Sequence, residues 1–447
     1  MPDPVFPRAV RTDLVPKEGY ISRDFLRLEA ERMWPRTWQV ACREEEIPNN
    51  GDFVTYDIGD ESIIVIRAQG GGIRAYYNSC QHRGRRLTES SGRTAKFHCK
   101  YHGWQWNLDG SIAKVLDRED WEGCPDMEDE ALRLKEVRVG AWSGFVFVCM
   151  DPEAASLEAY LDPVPSYVDR YEIGKMRYRW YKSVRLPCNW KVALEAFNEG
   201  YHVAATHTQL LEFQGDDVTR SFAMGKHGMF GYPTATRPPG APSPRTGKPM
   251  PTDIRPGLVA FYQEMENTLK AIYTARDNDA VRRILTEMPA DANPMEVLIK
   301  AFDVQKEAAA ASGAGWADLT LEEMGQAGTD WHVFPNLVFL MYPDGALAYR
   351  ARPDGDNPDS CIFDIWSLAR YAPGSEPPLK REFYHGKDDW RQSENFGLIL
   401  SQDFSNMIEV QRGMKSRGFT AARTSPLQET SISNFHRVLY EYVSAGE

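Results

Sequence analysis

Two short segments in which cysteine alternates with histidine constrain this chain more than any other feature. Cys80-x-His82 is followed, after sixteen intervening residues, by Cys99-x2-His102. Thiolates hold iron in a sulfide-bridged cluster, while neutral imidazoles on the second iron remove negative charge and raise the reduction potential. The order Cys, His, Cys, His therefore predicts a Rieske [2Fe-2S] centre that these four residues hold.

A structural zinc site is the main alternative, because zinc also binds cysteine and histidine. Zinc sites usually present cysteines at C-x2-4-C spacing before histidines at H-x3-5-H spacing, and this order does not occur in the two segments. Ordinary buried side chains would explain any single Cys or His. They explain the set of four poorly, because the residues fall in two short loops that are rich in glycine and aromatic residues.

Length, charge and cysteine use exclude several functions. A chain of 447 residues with 42% hydrophobic residues predicts a globular protein with two domains. The net charge of -12, without a block of Lys or Arg, makes nucleic acid and anionic membranes poor partners. No long apolar run or signal-like N-terminus occurs, and seven scattered cysteines favour a reducing compartment. We therefore expect a cytoplasmic location.

The hydrophobic pattern changes along the chain and predicts its domains. An amphipathic stretch over 22–38 predicts a helix, and short alternating runs over 52–77, 137–139 and 145–149 predict a small antiparallel β domain. We expect a helical segment over 1–39 that packs on the catalytic domain, a cluster domain over 40–155 and a catalytic domain over 156–447. A Pro-rich stretch over 233–257 predicts a lid or a passive insertion.

The C-terminal part alternates strand-like and helix-like runs, which is typical of an α+β fold. The strand-like runs are 177–184, 337–341 and 361–367, and the helix-like runs are 190–201, 258–273, 293–311 and 402–414. No G-x-G-x-x-G motif follows a strand and opens a helix. Electrons from a nicotinamide cofactor would therefore have to come through another protein.

A second metal site is predicted within the segment NWKVALEAFNEGYHVAATH. Glu199 and His202 would share one helical face, whereas His207 would lie about 140° away from His202 on a regular helix, so the helix must end or distort before His207. Two imidazoles and one carboxylate, with open positions on one side, are the ligands that non-heme Fe(II) oxygenases use.

These motifs together resemble Rieske non-heme iron oxygenases, in particular the large α subunits of ring-hydroxylating dioxygenases. The resemblance rests on CQHRGRRL (Cys80 to Leu87), HCKYHGWQWNLDGSI (His98 to Ile112) and the segment with both histidines. Neither cluster loop has the additional cysteine found in respiratory Rieske proteins. The resemblance implies an all-β Rieske [2Fe-2S] domain joined to a catalytic domain in which helices cover an antiparallel sheet.

The resemblance also implies roles for residues of the second site. His202, His207 and Asp403, which lies eight residues before Gln411, would bind a mononuclear Fe(II), with Glu409 as the rival carboxylate. Glu199 would be the catalytic bridging acid, which accepts hydrogen bonds from His202 and from a neighbouring subunit's His102. The chain departs from the usual pattern in having Glu at this position and Ala196 where many relatives have Asn, and some relatives that oxidise N-methyl groups also use Glu.

The implied function is that of a terminal oxygenase. Electrons from NAD(P)H would arrive through a reductase, with a ferredoxin as an optional intermediate, and O2 would be used to hydroxylate a hydrophobic aromatic or polycyclic substrate. Oxidative O- or N-demethylation is the alternative, and an electron carrier without oxygenase activity is an alternative from another class. The assembly implied is a homotrimer, with a small β subunit left open.

A set of apolar residues is proposed to line the substrate pocket, although core packing is the simpler explanation for most of them individually. The set comprises Leu210, Leu211, Phe213, Phe222, Met224, Met229, Phe230, Val338, Phe339 and Met341.

Overall fold

The structure, a computed structural model, describes residues 11–216, 218–386 and 389–444, and its contacts divide the chain into two compact units. One unit is Leu28–Tyr160, and the other combines residues 11–27 with the chain from Leu161 onward. Within the described ranges, no helix is both long enough and apolar enough to cross a bilayer.

The unit Leu28–Tyr160 is built from antiparallel strands. They are β1 Gln39–Arg43, β2 Asp52–Ile58, β3 Glu61–Arg67, β4 Ile73–Tyr77, β5 Gly92–Arg93, β6 Phe97–His98, β7 Gln105–Trp106, β8 Ile112–Lys114, β9 Glu136–Trp142 and β10 Phe145–Cys149. A seven-stranded sheet has the order β1-β10-β9-β4-β3-β2-β5, and β6-β7-β8 form a separate three-stranded sheet. The prediction of a small antiparallel β domain is confirmed.

One hydrophobic core in this unit includes Ile64, Ile66 and Tyr76 from the large sheet, Trp106 from the smaller sheet and the preceding Trp104. Ile63, Ile64, Val65 and Ile66 of β3 are all fully buried, so both faces of this central strand are covered. This core also contains the two cysteines of the predicted cluster. The core therefore supports the loops that carry the candidate ligands.

The helix predicted over 22–38 is not regular. It consists of an α-helix over Arg23–Leu28, a π-helical turn over Glu29–Met33 and a 3-10 turn over Trp34–Arg36. Pro35 has no backbone N–H and its ring crowds the preceding turn, so a regular α-helix does not continue through it.

The second unit contains an eight-stranded sheet. Its strands are β11 Arg177–Leu186, β12 Arg220–Met224, β13 His227–Gly231, β14 Asp330–Val333, β15 Leu337–Tyr342, β16 Gly345–Asp354, β17 Asn357–Ala369 and β18 Arg381–Tyr384. The order is β12-β13-β14-β15-β16-β17-β11-β18, and all pairs are antiparallel except β11 with β18. A short bridge also pairs Val15–Pro16 with Ala421–Ala422.

The helices of this unit used below are α1 Trp190–Glu195, α2 Val203–Thr206, α3 Arg255–Thr268, α4 Pro294–Ala311, α5 Leu398–Met414 and α6 Thr430–Ser444. The α+β class is confirmed. The helix predicted over 258–273 ends earlier, at Thr268, because Lys270 and Ile272 adopt left-handed backbone angles, with φ of 58° and 67°. A shorter helix over Ala275–Val281 follows.

One face of this sheet, which we call the α1 face, is covered by α1 and α5. Tyr349 in β16 stacks on Phe197, which follows α1, with ring centroids 4.0 Å apart. Phe363 in β17 packs edge-on against Phe404 of α5, at 6.0 Å. Directly paired residues of antiparallel strands project to the same side, so the pairing defines the other residues of this face.

The opposite face buries an ion pair. The guanidinium of Arg350 donates two hydrogen bonds to one carboxylate oxygen of Asp364, at 2.8 and 2.5 Å. Both side chains are almost fully buried. Desolvation offsets much of the attraction in such a pair, but removal of Arg350 leaves the buried Asp364 carboxylate with the more distant Arg352, 3.7 Å away, as its counter-charge.

Replacement of Arg350 by Met should therefore lower the free energy of unfolding by about 3 kcal/mol. Urea denaturation followed by tryptophan fluorescence measures the change. Arg412→Met is the matched control, since Arg412 forms an exposed pair with Glu409 and should cost less than about 1 kcal/mol. Equal losses in the two variants would contradict the structural role of the buried pair.

Candidate metal centres

The two cysteine loops of the N-terminal unit share one backbone design. The Cys80 N–H donates to the Arg85 carbonyl at 2.9 Å, and the Cys99 N–H donates to the Trp104 carbonyl at the same distance. Each loop then turns back through a glycine, Gly84 or Gly103, whose N–H bonds to the cysteine carbonyl. These glycines have φ of 74° and 76°, a left-handed conformation that costs glycine little.

The four candidate ligands form a cysteine pair and a histidine pair. Burial raises the pKa of the Cys80 thiol, and the neighbouring Cys99 thiol raises it further. The rings of His82 and His102 lie 4.6 Å apart. The Nδ1 atoms of both rings are buried and have no hydrogen-bond partner among the described groups. Two thiols and two unsatisfied imidazole nitrogens fit a cluster in which each pair binds one iron.

Aromatic rings hold the histidine pair. His82 stacks on Trp104 with centroids 4.8 Å apart and an interplanar angle of 9°. His102 contacts the ring of Tyr101 at 3.7 Å. Burial lowers the pKa of His82, and the proximity of His102 and Arg83 lowers it further. This environment favours the neutral imidazole, which is the form that binds a metal ion.

The second candidate site lies where α1 ends. The predicted helix over 190–201 extends only to Glu195, and a one-turn helix, α2, follows His202. A Cβ atom on Gly200 would lie 2.6 Å from Thr219 Cγ2, so this close approach requires glycine. The chain turns between the two helices, and His207 lies just beyond α2. The expectation that the helix ends before His207 is met, but the break occurs earlier than predicted.

Three side chains from two distant segments converge there. His202, His207 and Asp403 each offer one ligand atom, and these atoms lie within 4.8 Å of one another. Asp403 Oδ1 is 2.9 Å from His207 Nε2 and 3.5 Å from His202 Nε2. His207 and Asp403 are buried, whereas a quarter of the His202 side chain is exposed. Two imidazole nitrogens and one carboxylate oxygen match the ligand set of a non-heme iron site.

Each histidine is held through the nitrogen that does not face Asp403. Glu199 Oε1 lies 2.6 Å from His202 Nδ1, and its other oxygen accepts hydrogen bonds from the backbone N–H groups of Tyr201 and His202. Gln402 Oε1 lies 2.9 Å from His207 Nδ1. Both rings therefore direct Nε2 to the shared space, as histidine ligands supported by an outer hydrogen bond do.

The neighbouring carboxylates change the pKa of His202. Burial alone would lower the pKa of its imidazole, but the hydrogen bond and charge of Glu199, together with Asp403, raise the pKa to about 9. Both ring nitrogens of His202 are therefore protonated at neutral pH as long as no metal ion is present. A metal ion has to displace the proton from Nε2, because Nδ1 is engaged by Glu199.

The structure separates the two candidate carboxylates of α5. Asp403 is buried beside the histidines, whereas Glu409 is 67% exposed and pairs with Arg412. Gln402 was not identified from the sequence. No local motif marks it, and only its position next to Asp403 in the chain suggests a role.

The proposed pocket residues do not form one group. Phe230 and Val338 pair with Asp330 and His332 and lie on the α1 face. Phe339 and Met341 alternate with Val338 along β15 and therefore point to the opposite face. Phe222, on the edge strand β12, is partly exposed.

Both units match known protein families. Residues 37–122 match the Rieske [2Fe-2S] domain, and residues 173–445 match the catalytic domain described as "Ring hydroxylating alpha subunit". The chain is 33% identical to the chlorobenzene dioxygenase α subunit of Cupriavidus sp. (strain PS12) over 421 residues, which are 92% of this chain and 82% of that subunit.

Other matches are shorter or more distant. The anthranilate 1,2-dioxygenase large subunit of Acinetobacter baylyi is 35% identical over 200 residues, so the match covers 43% of this chain and less than half, 42%, of that subunit. Among solved structures, a quaternary ammonium Rieske monooxygenase in complex with its substrate L-carnitine superposes with a TM-score of 0.65. That alignment has 18% identity and covers 97% of this chain and 96% of the other.

Proposed function

Because this chain belongs to the family of Rieske ring-hydroxylating α subunits, we propose that it is the terminal oxygenase of a multicomponent system. It receives NAD(P)H-derived electrons from a reductase, directly or through a ferredoxin, and uses O2 to hydroxylate an organic substrate. The observation that carries the proposal is the convergence of His202, His207 and Asp403, because this ligand set leaves open positions for O2 beside the substrate.

The protein's own residues prepare both centres. When bound, the [2Fe-2S] cluster supplies single electrons and the mononuclear iron supplies the position at which O2 is reduced. Cys80, Cys99, His82 and His102 would hold the cluster. Glu199 and Gln402 fix the ring orientation of His202 and His207, so that the Nε2 atoms of both rings face the space beside Asp403.

Glu199 is proposed to connect the two centres of neighbouring subunits. Its carboxylate is buried against His202, and we propose that it also accepts a hydrogen bond from His102 of the partner subunit in a homotrimer. The exposed rings of Tyr101 and Tyr201 support this, because each adjoins one centre and more than half of its surface is accessible in the single chain. Large exposed aromatic rings are enriched at protein interfaces.

Glu199→Gln should keep both metal centres but slow the delivery of electrons to the mononuclear iron by about 10- to 100-fold, because the amide binds the imidazole proton more weakly. Single-turnover oxidation of the reduced cluster in the presence of substrate and O2 measures this step. Glu409→Gln is the matched control, an acid-to-amide change on the exposed side of α5. An unchanged single-turnover rate in Glu199→Gln would refute the bridging role.

Metal analysis tests the oxygenase proposal itself. Anaerobically purified protein should contain about three iron atoms per chain, two in the cluster and one at the mononuclear site. About two iron atoms per chain would instead support an electron carrier, and an iron-free, colourless protein would support a zinc-binding module.

The substrate class has two candidates. The apolar residues Phe230, Val338 and Tyr349 on the α1 face favour an aromatic substrate that is dihydroxylated. Glu199 favours oxidative demethylation, since some relatives that oxidise N-methyl groups also have glutamate at this position. Product analysis with labelled O2 separates them: a cis-diol with two labelled oxygen atoms supports dihydroxylation, and release of formaldehyde supports demethylation.

A further inference from the structure

Asp330 is a buried carboxyl group for which the described residues provide no counter-charge. Its side chain is 1% exposed, and its Oδ2 atom has no hydrogen-bond partner among the described groups. Burial raises the pKa of Asp330 well above the ordinary value for aspartate. Buried polar groups are almost always hydrogen-bonded, and a buried carboxylate is usually paired. An unpaired acid at the start of β14 therefore needs an explanation.

Asp330 lies on the same side of the sheet as the mononuclear site. It pairs with Phe230 on β13 and with Leu340 on β15, and Tyr349 projects to the same α1 face. Burial raises the pKa of Tyr349, and the charges of Asp403 and Asp330 raise it further. The Tyr349 hydroxyl therefore lies within electrostatic range of both Asp403, the candidate iron ligand, and Asp330.

The strand next to Asp330 is less tightly covered at one residue. Leu340 is partly accessible, although all other residues of β15 are buried. Leu340 is the direct cross-strand partner of Asp330, so the two side chains project next to each other on the α1 face. The rings of Phe230 and Tyr349 occupy the same face, and aromatic faces attract cations.

We propose that Asp330 anchors a positively charged nitrogen group of the substrate, and this inference rests on the proposed oxygenase function. The bound cation would give the carboxylate the counter-charge that the protein itself does not provide. The aromatic rings would cover the remaining surface of the cation. The substrate class is then an amine or quaternary ammonium compound with an apolar body, and the nitrogen-bearing end is held away from solvent.

Two compounds of the same shape, one charged and one uncharged, test whether Asp330 anchors a cation. Phenyltrimethylammonium and tert-butylbenzene have nearly the same shape and differ in charge, so their dissociation constants can be compared by isothermal titration calorimetry on the iron-loaded full chain. The wild type should bind the cation at least about ten-fold more tightly than the hydrocarbon, because the anchoring pair is desolvated. Asp330→Asn should lose this preference and keep the hydrocarbon affinity within about three-fold, since the amide preserves the shape.

Glu409→Gln is the control and should keep the preference of the wild type. Equal binding of both probes by the wild type, or an unchanged preference in Asp330→Asn, would overturn the proposal. If Asp330→Asn does not fold, the wild-type ratio alone decides. Iron content is measured on the same samples, so a protein with full iron and no cation preference rejects the anchor only, whereas a protein without mononuclear iron rejects the oxygenase proposal.

Discussion

His202→Ala should lower turnover by at least about a thousand-fold while the visible absorption of the cluster stays unchanged. The substitution removes one of three ligand atoms that lie within 4.8 Å of one another, and it leaves Glu199 without the imidazole that it contacts at 2.6 Å. Two remaining ligands hold a divalent ion weakly. We therefore expect about two iron atoms per chain in place of about three.

Iron analysis, the absorption spectrum and the rate of substrate-dependent O2 consumption check this result. His385→Ala is the matched control, because His385 is exposed and belongs to neither candidate centre. Retention of about three iron atoms per chain by His202→Ala would mean that the mononuclear ion lies elsewhere. Loss of the cluster spectrum in the same variant would mean that the two centres are not independent.

The candidate cluster ligands could be proposed from the sequence because each pair lies within one short loop. Cys80 and His82 are separated by one residue, and Cys99 and His102 by two, so local spacing alone indicates their shared chemistry. The backbone turns that position them depend on Gly84 and Gly103 in the same loops. A site whose ligands and supporting turns are both local can be predicted without the fold.

The candidate mononuclear site could be proposed from the sequence only in part. A regular helix over 190–201 would have been compatible with the local sequence, but the helix ends at Glu195, and the Glu199 carboxylate accepts the backbone N–H groups of Tyr201 and His202 beyond it. The choice between Asp403 and Glu409 required the fold, since both lie on one helix and only burial distinguishes them. Gln402 contacts His207 from a segment nearly two hundred residues away, so no spacing could indicate it.

Asp330 illustrates a further limit of sequence reasoning. In the sequence it precedes Trp331 and looks like an ordinary polar residue at a strand end. Its significance comes from register, because pairing with Phe230 and Leu340 directs it to the face that carries α1 and α5. Alternation along β15 likewise places Phe339 and Met341 on the face opposite to Val338. Side-chain direction in the sheet, and not hydrophobicity alone, therefore decides which residues share a face with the candidate mononuclear site.

Cys99→Ser should abolish the visible absorption and the rhombic paramagnetic signal of the cluster. The serine hydroxyl is a harder and far less acidic ligand than a thiol, so it does not replace the thiolate on iron. The unit Leu28–Tyr160 should also lose stability, since Cys99 is buried within its core and cluster binding contributes to folding. Absorption spectroscopy and electron paramagnetic resonance of anaerobically reduced protein measure the loss, and thermal denaturation measures the stability.

Cys124→Ser is the control for this change, because Cys124 is an exposed free cysteine of the same unit and should leave the spectrum intact. The iron that remains in Cys99→Ser should be about one atom per chain, bound by His202, His207 and Asp403 in the other unit. The His202→Ala variant should instead keep about two iron atoms per chain, those of the cluster. The iron contents of the two variants together therefore assign the metal to the two centres. A Cys99→Ser protein that keeps its colour would show that this cysteine is not a cluster ligand.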